Sequence, residues 1–166
     1  MDELERLSAS EALAAGKHSI IVILDDVRSM HNVGSTFRTC DAFAAEALYL
    51  CGYTPIPPHR DIHKTALGAT DTVNWKHFHT TTDAVNAAKA AGYKVYAVEQ
   101  AHNSISLNQF NCKEHIALVF GNEVSGVSDD VLQITDGCIE IPQWGSKHSL
   151  NISVTVGVVL WEIVRK

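Results

Sequence analysis

"IPQWGSKHSLNISVTVGVVLWEI" runs from Ile141 to Ile163. From Ile152 onward it is apolar almost all the way round, the mark of a helix buried on more than one face. Its entrance is small and polar: Gly145, Ser146, Ser149, Asn151 and Ser153. Ser149 stands where it can cap the helix, which puts Asn151 and Ser153 in the first turn and a half. Asn disfavours helix interiors unless its side chain bonds elsewhere. The entrance is therefore expected to do more than fill a core.

Working outward, strands and helices alternate. Strand patterns lie at "HSIIVILDDV" (18–27), "EALYLCG" (46–52), "YKVYAVE" (93–99), "HIALVFG" (115–121) and "GCIEIP" (137–142). Helical patterns lie at about 2–15, with Gly16 as a stop, and at about Asn32–Ala44, with Asn32 as its cap. Others span 80–92, with a Thr/Asp start and Gly92 at the end, and 128–135, with Ser128 as its cap and Asp129 and Asp130 at its positive end. "YTPIPPHRD" (53–61) carries three prolines and reads as loop. The expected class is α/β, a mostly parallel sheet flanked by helices. At 166 residues, without repeats or linkers, the chain reads as a single domain. Ligands of such sheets bind beyond the carboxyl ends of the strands. The loops to search are then Asp25–Gly34, Glu99–Ser104, Gly121–Gly126 and Pro142–Asn151.

Composition narrows the function. No apolar run reaches a membrane span, and the acidic start gives no sign of a signal peptide, so the expected place is the cytoplasm. Cys40, Cys51, Cys112 and Cys138 are scattered, without a CxxC pair, and read as free thiols; no metal site is expected. A net charge of −6 argues against a nonspecific nucleic-acid coat. A local basic patch is still open to Arg28, Arg38, Arg60, Lys64 and Lys147, if the fold gathers them. There is no P-loop, and no GxGxxG follows the first strand.

Three strand-end loops stand out. "NVGSTFR" places Asn32, Gly34 and Arg38 at a helix start; "FGNEVSG" puts Glu123 between two glycines; "IPQWGSKHSLNIS" is the entrance described above. Each alone has a plain reading, as a capped helix, an ordinary turn or a polar helix start. In this order and at these strand ends, N-x-G-x-x-x-R, F-G-N-E-x-x-G and I-P-x-x-G-x-x-x-S-L-N-x-S resemble the three signature motifs of the SpoU (TrmH-type) RNA ribose 2′-O-methyltransferases of the SPOUT superfamily. "HKTALGATDTVNW" (63–75) is similar to the segment these enzymes carry between the first two motifs.

The resemblance implies a C-terminal trefoil knot, over about residues 98–166, that binds S-adenosylmethionine. By that match Val98, Glu99, Gly121, Ile141, Gln143 and Leu150 hold the cofactor. Arg38, Asn32, Glu123, Ser149 and Asn151 form the catalytic set. The family's matching arginine is proposed as a base; a guanidinium parts with its proton reluctantly, so phosphate grip or alkoxide stabilisation is the other role for Arg38. A Glu123–Arg38 pair is a further expectation. The resemblance also implies a homodimer packed through the knot, and RNA as substrate, with tRNA preferred over rRNA. The sequence shows no long RNA-binding extension, so the catalytic domain, by itself or with help, is expected to hold the RNA. Trp144 and Gln143 depart from the residues common in relatives. The rival readings are a non-catalytic RNA-binding member, a knotted methyltransferase for a small molecule or protein, and a plain nucleotide-binding fold.

Overall fold

In the computed structural model, which describes residues 10–11, 16–111, 115–146 and 149–166, β1 (His18–Asp25) is an interior strand of the sheet. β2 (Ala45–Cys51) and β6 (Ile116–Phe120) pair with its two edges in parallel, and its β-branched run is buried on both faces by the helices packed on each side. β3 (Asn74–Phe78), β4 (Lys94–Val98), β5 (Ile105–Ser106) and β7 (Gly137–Glu140) complete a seven-stranded sheet. The order is β3-β2-β1-β6-β4-β7-β5, and every pairing is parallel.

The two-residue period of the strands sorts the core into two layers. Ile20, Val22 and Leu24 of β1, with Ile116, Leu118 and Phe120 of β6, face one side. There they meet Phe37 of α1 (Met30–Ala42), Ile62 of α2 (Arg60–Ala66), and Val156, Val159 and Leu160 of α5 (Ile152–Val164). Ile21, Ile23, Ala117 and Val119 face the other side. They meet Ala84, Val85 and Ala88 of α3 (Thr81–Ala90) and Val131 of α4 (Asp129–Ile134). Among the described residues no helix is long and apolar enough to cross a membrane.

Several local expectations change. Ser29 caps α1, accepting from Asn32 N at 3.3 Å, so Asn32 lies inside the first turn. Asn151, and not Ser149, caps α5, accepting from Ser153 N at 2.9 Å. Ser128 flanks α4 but gives it no side-chain cap; its hydroxyl donates to buried Asp25 at 3.1 Å. Asn32 and Ser128 instead spend their side chains on bonds elsewhere, to Glu123 and to Asp25. Two elements, α2 and β3, lie where only loop and a family segment were read. Gly34 does admit a close neighbour, and it is α2: a Cβ there would stand 2.1 Å from Thr65 Oγ1 and 2.3 Å from the Ile62 carbonyl oxygen. The helix expected over about 2–15 lies almost wholly outside the described residues, as do Cys112 and Lys147.

Candidate active site

β1, β6 and β4 lie side by side although the chain visits β2 and β3 between them, so the strand order reverses here. This is where an open parallel sheet leaves a crevice at its carboxyl edge. A cavity of about 770 Å³ opens there, walled by the ends of β4, β6 and β7 and by the start of α5. That volume suits a small-molecule ligand, whose sites run from about 300 to 1,000 Å³. Val98, Glu99, Gly121, Ile141, Gln143 and Leu150, the residues expected at the cofactor, all line it, as do Glu123, Ser149 and Asn151.

The wall after β6 is a folded-back loop. Asn122 Oδ1 accepts from Val124 N at 2.8 Å and Ser125 N at 3.1 Å, while its Nδ2 donates to the Asp26 carbonyl at 3.2 Å. A Cβ on Gly121 would stand 2.1 Å from the Gly126 carbonyl carbon, so this glycine serves the fold of the loop as well as any ligand. Glu99 holds the far end, accepting from Val127 N at 3.2 Å and Gln100 N at 3.0 Å. Asn122 was missed as a site residue; its signal was its place between Gly121 and Glu123.

At the mouth, the three sequence motifs meet in one chain of hydrogen bonds. Asn32 Nδ2 donates to Glu123 Oε1 at 2.7 Å. Asn151 Nδ2 donates to Asn32 Oδ1 at 3.1 Å. Asn151 Oδ1 accepts from Ser153 N and from Ser153 Oγ, at 2.9 and 2.7 Å. Each amide gives with its nitrogen and receives with its oxygen, so both orientations are fixed. Glu123 is thus held by Asn32, and the expected Glu123–Arg38 pair is absent among the described residues. Arg38 is exposed on α1 and outside the cavity wall. It stands six residues, about 9 Å of helix rise, beyond Asn32.

The cavity wall carries the carboxylates of Glu99, Glu123, Asp129 and Glu140 and, among the described residues, no lysine or arginine. Such a wall favours a cationic small ligand over a phosphate. Exposed cations lie outside the wall: Arg28, Arg38, Arg60 and Lys64 on and around α1 and α2, and Lys76, Lys89, Lys94, Arg165 and Lys166 on other elements. Helices α1 and α2 are tied by Thr65 Oγ1, which donates to the His31 carbonyl at 3.1 Å. No cluster of potential metal ligands occurs among the described residues.

Residues 19–161 match the model of the SpoU rRNA Methylase family. The tRNA (guanosine(18)-2'-O)-methyltransferase of Thermus thermophilus is 30% identical, over 99% of this chain and 84% of its own length. The crystal structure of the Aquifex aeolicus TrmH/SpoU tRNA modifying enzyme superposes with a TM-score of 0.83 at 27% identity, covering 93% of this chain and 78% of that one. The AdoMet-bound rRNA methyltransferase of Sinorhizobium meliloti also gives 0.83, at 28% identity over 90% of this chain and 57% of that one.

Proposed function

The chain belongs to the SpoU rRNA Methylase family, and from that premise we propose that it transfers a methyl group from S-adenosylmethionine to a ribose 2′-hydroxyl of tRNA. The observation that carries this reading is the Glu123–Asn32–Asn151–Ser153 chain, set at the mouth of a cavity that all the expected cofactor residues line. The acidic wall fits the donor's sulfonium and amino charges. Bound there, the cofactor supplies an electrophilic methyl group.

The chain's own residues do the rest. Displacement needs acceptor oxygen, methyl carbon and sulfur in line, so positioning is much of the catalysis. Asn32 fixes Glu123 and Asn151, and the three hold the ribose at the mouth with Ser149. Arg38 grips a substrate phosphate and stabilises the developing alkoxide; the hydroxyl proton passes to water as the new O–C bond forms, the methyl–sulfur bond breaks and S-adenosylhomocysteine is left. RNA lies along α1 and α2, where Arg28, Arg60 and Lys64 meet its backbone. The protein works in the cytoplasm, with the segments from about residue 98 onward forming a trefoil knot.

A second copy packs on α5. Val154, Val158 and Trp161 recur at helical spacing and are 52%, 39% and 59% exposed. An apolar stripe of this kind fits an interface.

Methyl transfer from labelled S-adenosylmethionine into tRNA and rRNA lacking native modifications tests the reading. The product is digested to nucleosides. Label in a 2′-O-methylnucleoside from tRNA is expected, and position 18, the site named for the Thermus relative, is the first to map. Label in rRNA alone would move the substrate; label in neither, with cofactor binding intact, would remove the catalytic assignments.

A further inference from the structure

We propose that Trp144 is a platform on which an unpaired base of the substrate RNA stacks beside the cofactor cavity; this rests on the RNA reading above. Trp144 is 93% exposed, far beyond what an indole held for packing would show. Its place on the chain is specific. Gln143, directly before it, lines the cavity, and the same loop returns to the wall at Ser149 and Leu150. On the wall loop after β6, Val124 is 97% exposed. Two separate wall loops therefore each carry a bare apolar side chain.

The charge of the wall decides what can meet them. Glu99, Glu123, Asp129 and Glu140 repel a phosphate backbone near the cavity. RNA must nevertheless bring a ribose to it. An uncharged contact, the π-face of a base against indole, meets both demands, while phosphates stay on the cations of α1 and α2. Unpaired RNA is commonly held by stacking on aromatic side chains. Such stacking tolerates any base, so Trp144 adds affinity and placement rather than sequence choice.

The test uses the full chain and its Trp144→Ala, Trp144→Phe and Trp144→Leu variants. Methyl transfer is measured against RNA concentration, and RNA binding by quenching of tryptophan fluorescence with a stem-loop oligonucleotide. Trp144→Ala is expected to raise KM for RNA roughly ten- to a hundredfold, as loss of one stacked base would. kcat at saturating RNA, affinity for S-adenosylhomocysteine and sedimentation stay as in the wild type. Trp144→Phe recovers most of the loss and Trp144→Leu does not. The quench by RNA is lost with Trp144. If the wild type methylates RNA but Trp144→Ala keeps its KM and quench, the proposal is overturned and the methyltransferase reading stands. If the wild type binds RNA with a Trp144-dependent quench and transfers no methyl group, the stacking stands and the catalytic reading falls. A wild type that binds no RNA, or a Trp144→Ala change confined to oligomeric mass, overturns the proposal, the latter by assigning the indole to a protein contact.

Discussion

Asn151 Nδ2 donates to Asn32 Oδ1 at 3.1 Å, joining the start of α5 to the first turn of α1 across 119 residues of chain. The same Asn151 caps α5 with its oxygen. The two duties can be separated. Asp is as good an N-cap as Asn, but its carboxylate has no N–H to offer Asn32. Asn151→Asp is therefore expected to keep its melting temperature within a few degrees and to lose methyl transfer by at least about tenfold, from one lost positioning bond. Asn151→Ala loses the cap as well, at about 1 kcal/mol. Thermal unfolding and single-turnover rates measured on both variants check this; full activity in Asn151→Asp would remove the bond from the mechanism.

The Arg38 side chain has no hydrogen bond or ion pair among the described residues and is exposed. Arg38→Ala should leave stability and S-adenosylhomocysteine affinity unchanged while turnover falls about a hundredfold or more, the scale of losing one transition-state donor. Arg38→Lys should restore only part, because an ammonium lacks the planar fork that pairs with phosphate. Near-wild-type turnover in Arg38→Ala would be the contrary result.

The alternation of strand and helix was readable because a parallel strand covered on both faces is a short continuous apolar run, as in "IIVIL" of β1. β3 escaped notice for the converse reason. It is an edge strand whose "NWKHF" is mostly exposed and shows no run. α2 is a single seven-residue element after three prolines, too short to set a period. Residues of the site were readable by motif, but their roles were not. Ser29 and Asn32 both suit a cap, and only Glu123 and Asn151, brought in by the fold, decide between them. The partner of Glu123 likewise depended on which α1 side chain the sheet turns toward β6.

Gly34 sets the approach of α1 and α2. Gly34→Ala drives a methyl group against the Ile62 carbonyl, which is backbone and cannot swing aside. A loss of about 1–3 kcal/mol is expected, as for overpacked sites. A urea titration reads it as a lower midpoint with unchanged slope. Activity should fall too, because α1 carries both Asn32 and Arg38; an unchanged midpoint would mean that the helices part freely.

Burial pushes the Cys40 thiol up to about 12, helped by the nearby Asp41 carboxylate, and pushes Cys51 up to about 12. The native state therefore favours the neutral thiols. Their contribution to stability is complete below the ordinary thiol value and is lost as pH rises from there toward 12. At pH 8.5, iodoacetamide should label half-buried Cys138 before either of them, and Cys40 and Cys51 only on unfolding. Peptide mapping of the alkylated protein checks the order. Equal labelling of Cys51 and Cys138 in the native state would contradict it.

The stripe Val154, Val158 and Trp161 is the proposed face for a second copy, and a charge at its centre tests it. Val158 is 39% exposed, so a glutamate there reaches water in a lone chain and stability should change little. In a dimer the same carboxylate would be buried against an apolar partner face, at a cost of several kcal/mol. Wild type should sediment as a dimer at micromolar concentration, and Val158→Glu as a monomer with a near-native melting temperature. Methyl transfer measured on that monomer then tells whether one chain suffices. Activity equal to the wild type would mean that Arg38 and the Asn32 network serve the cavity of their own chain, and a monomeric wild type would end the dimer proposal.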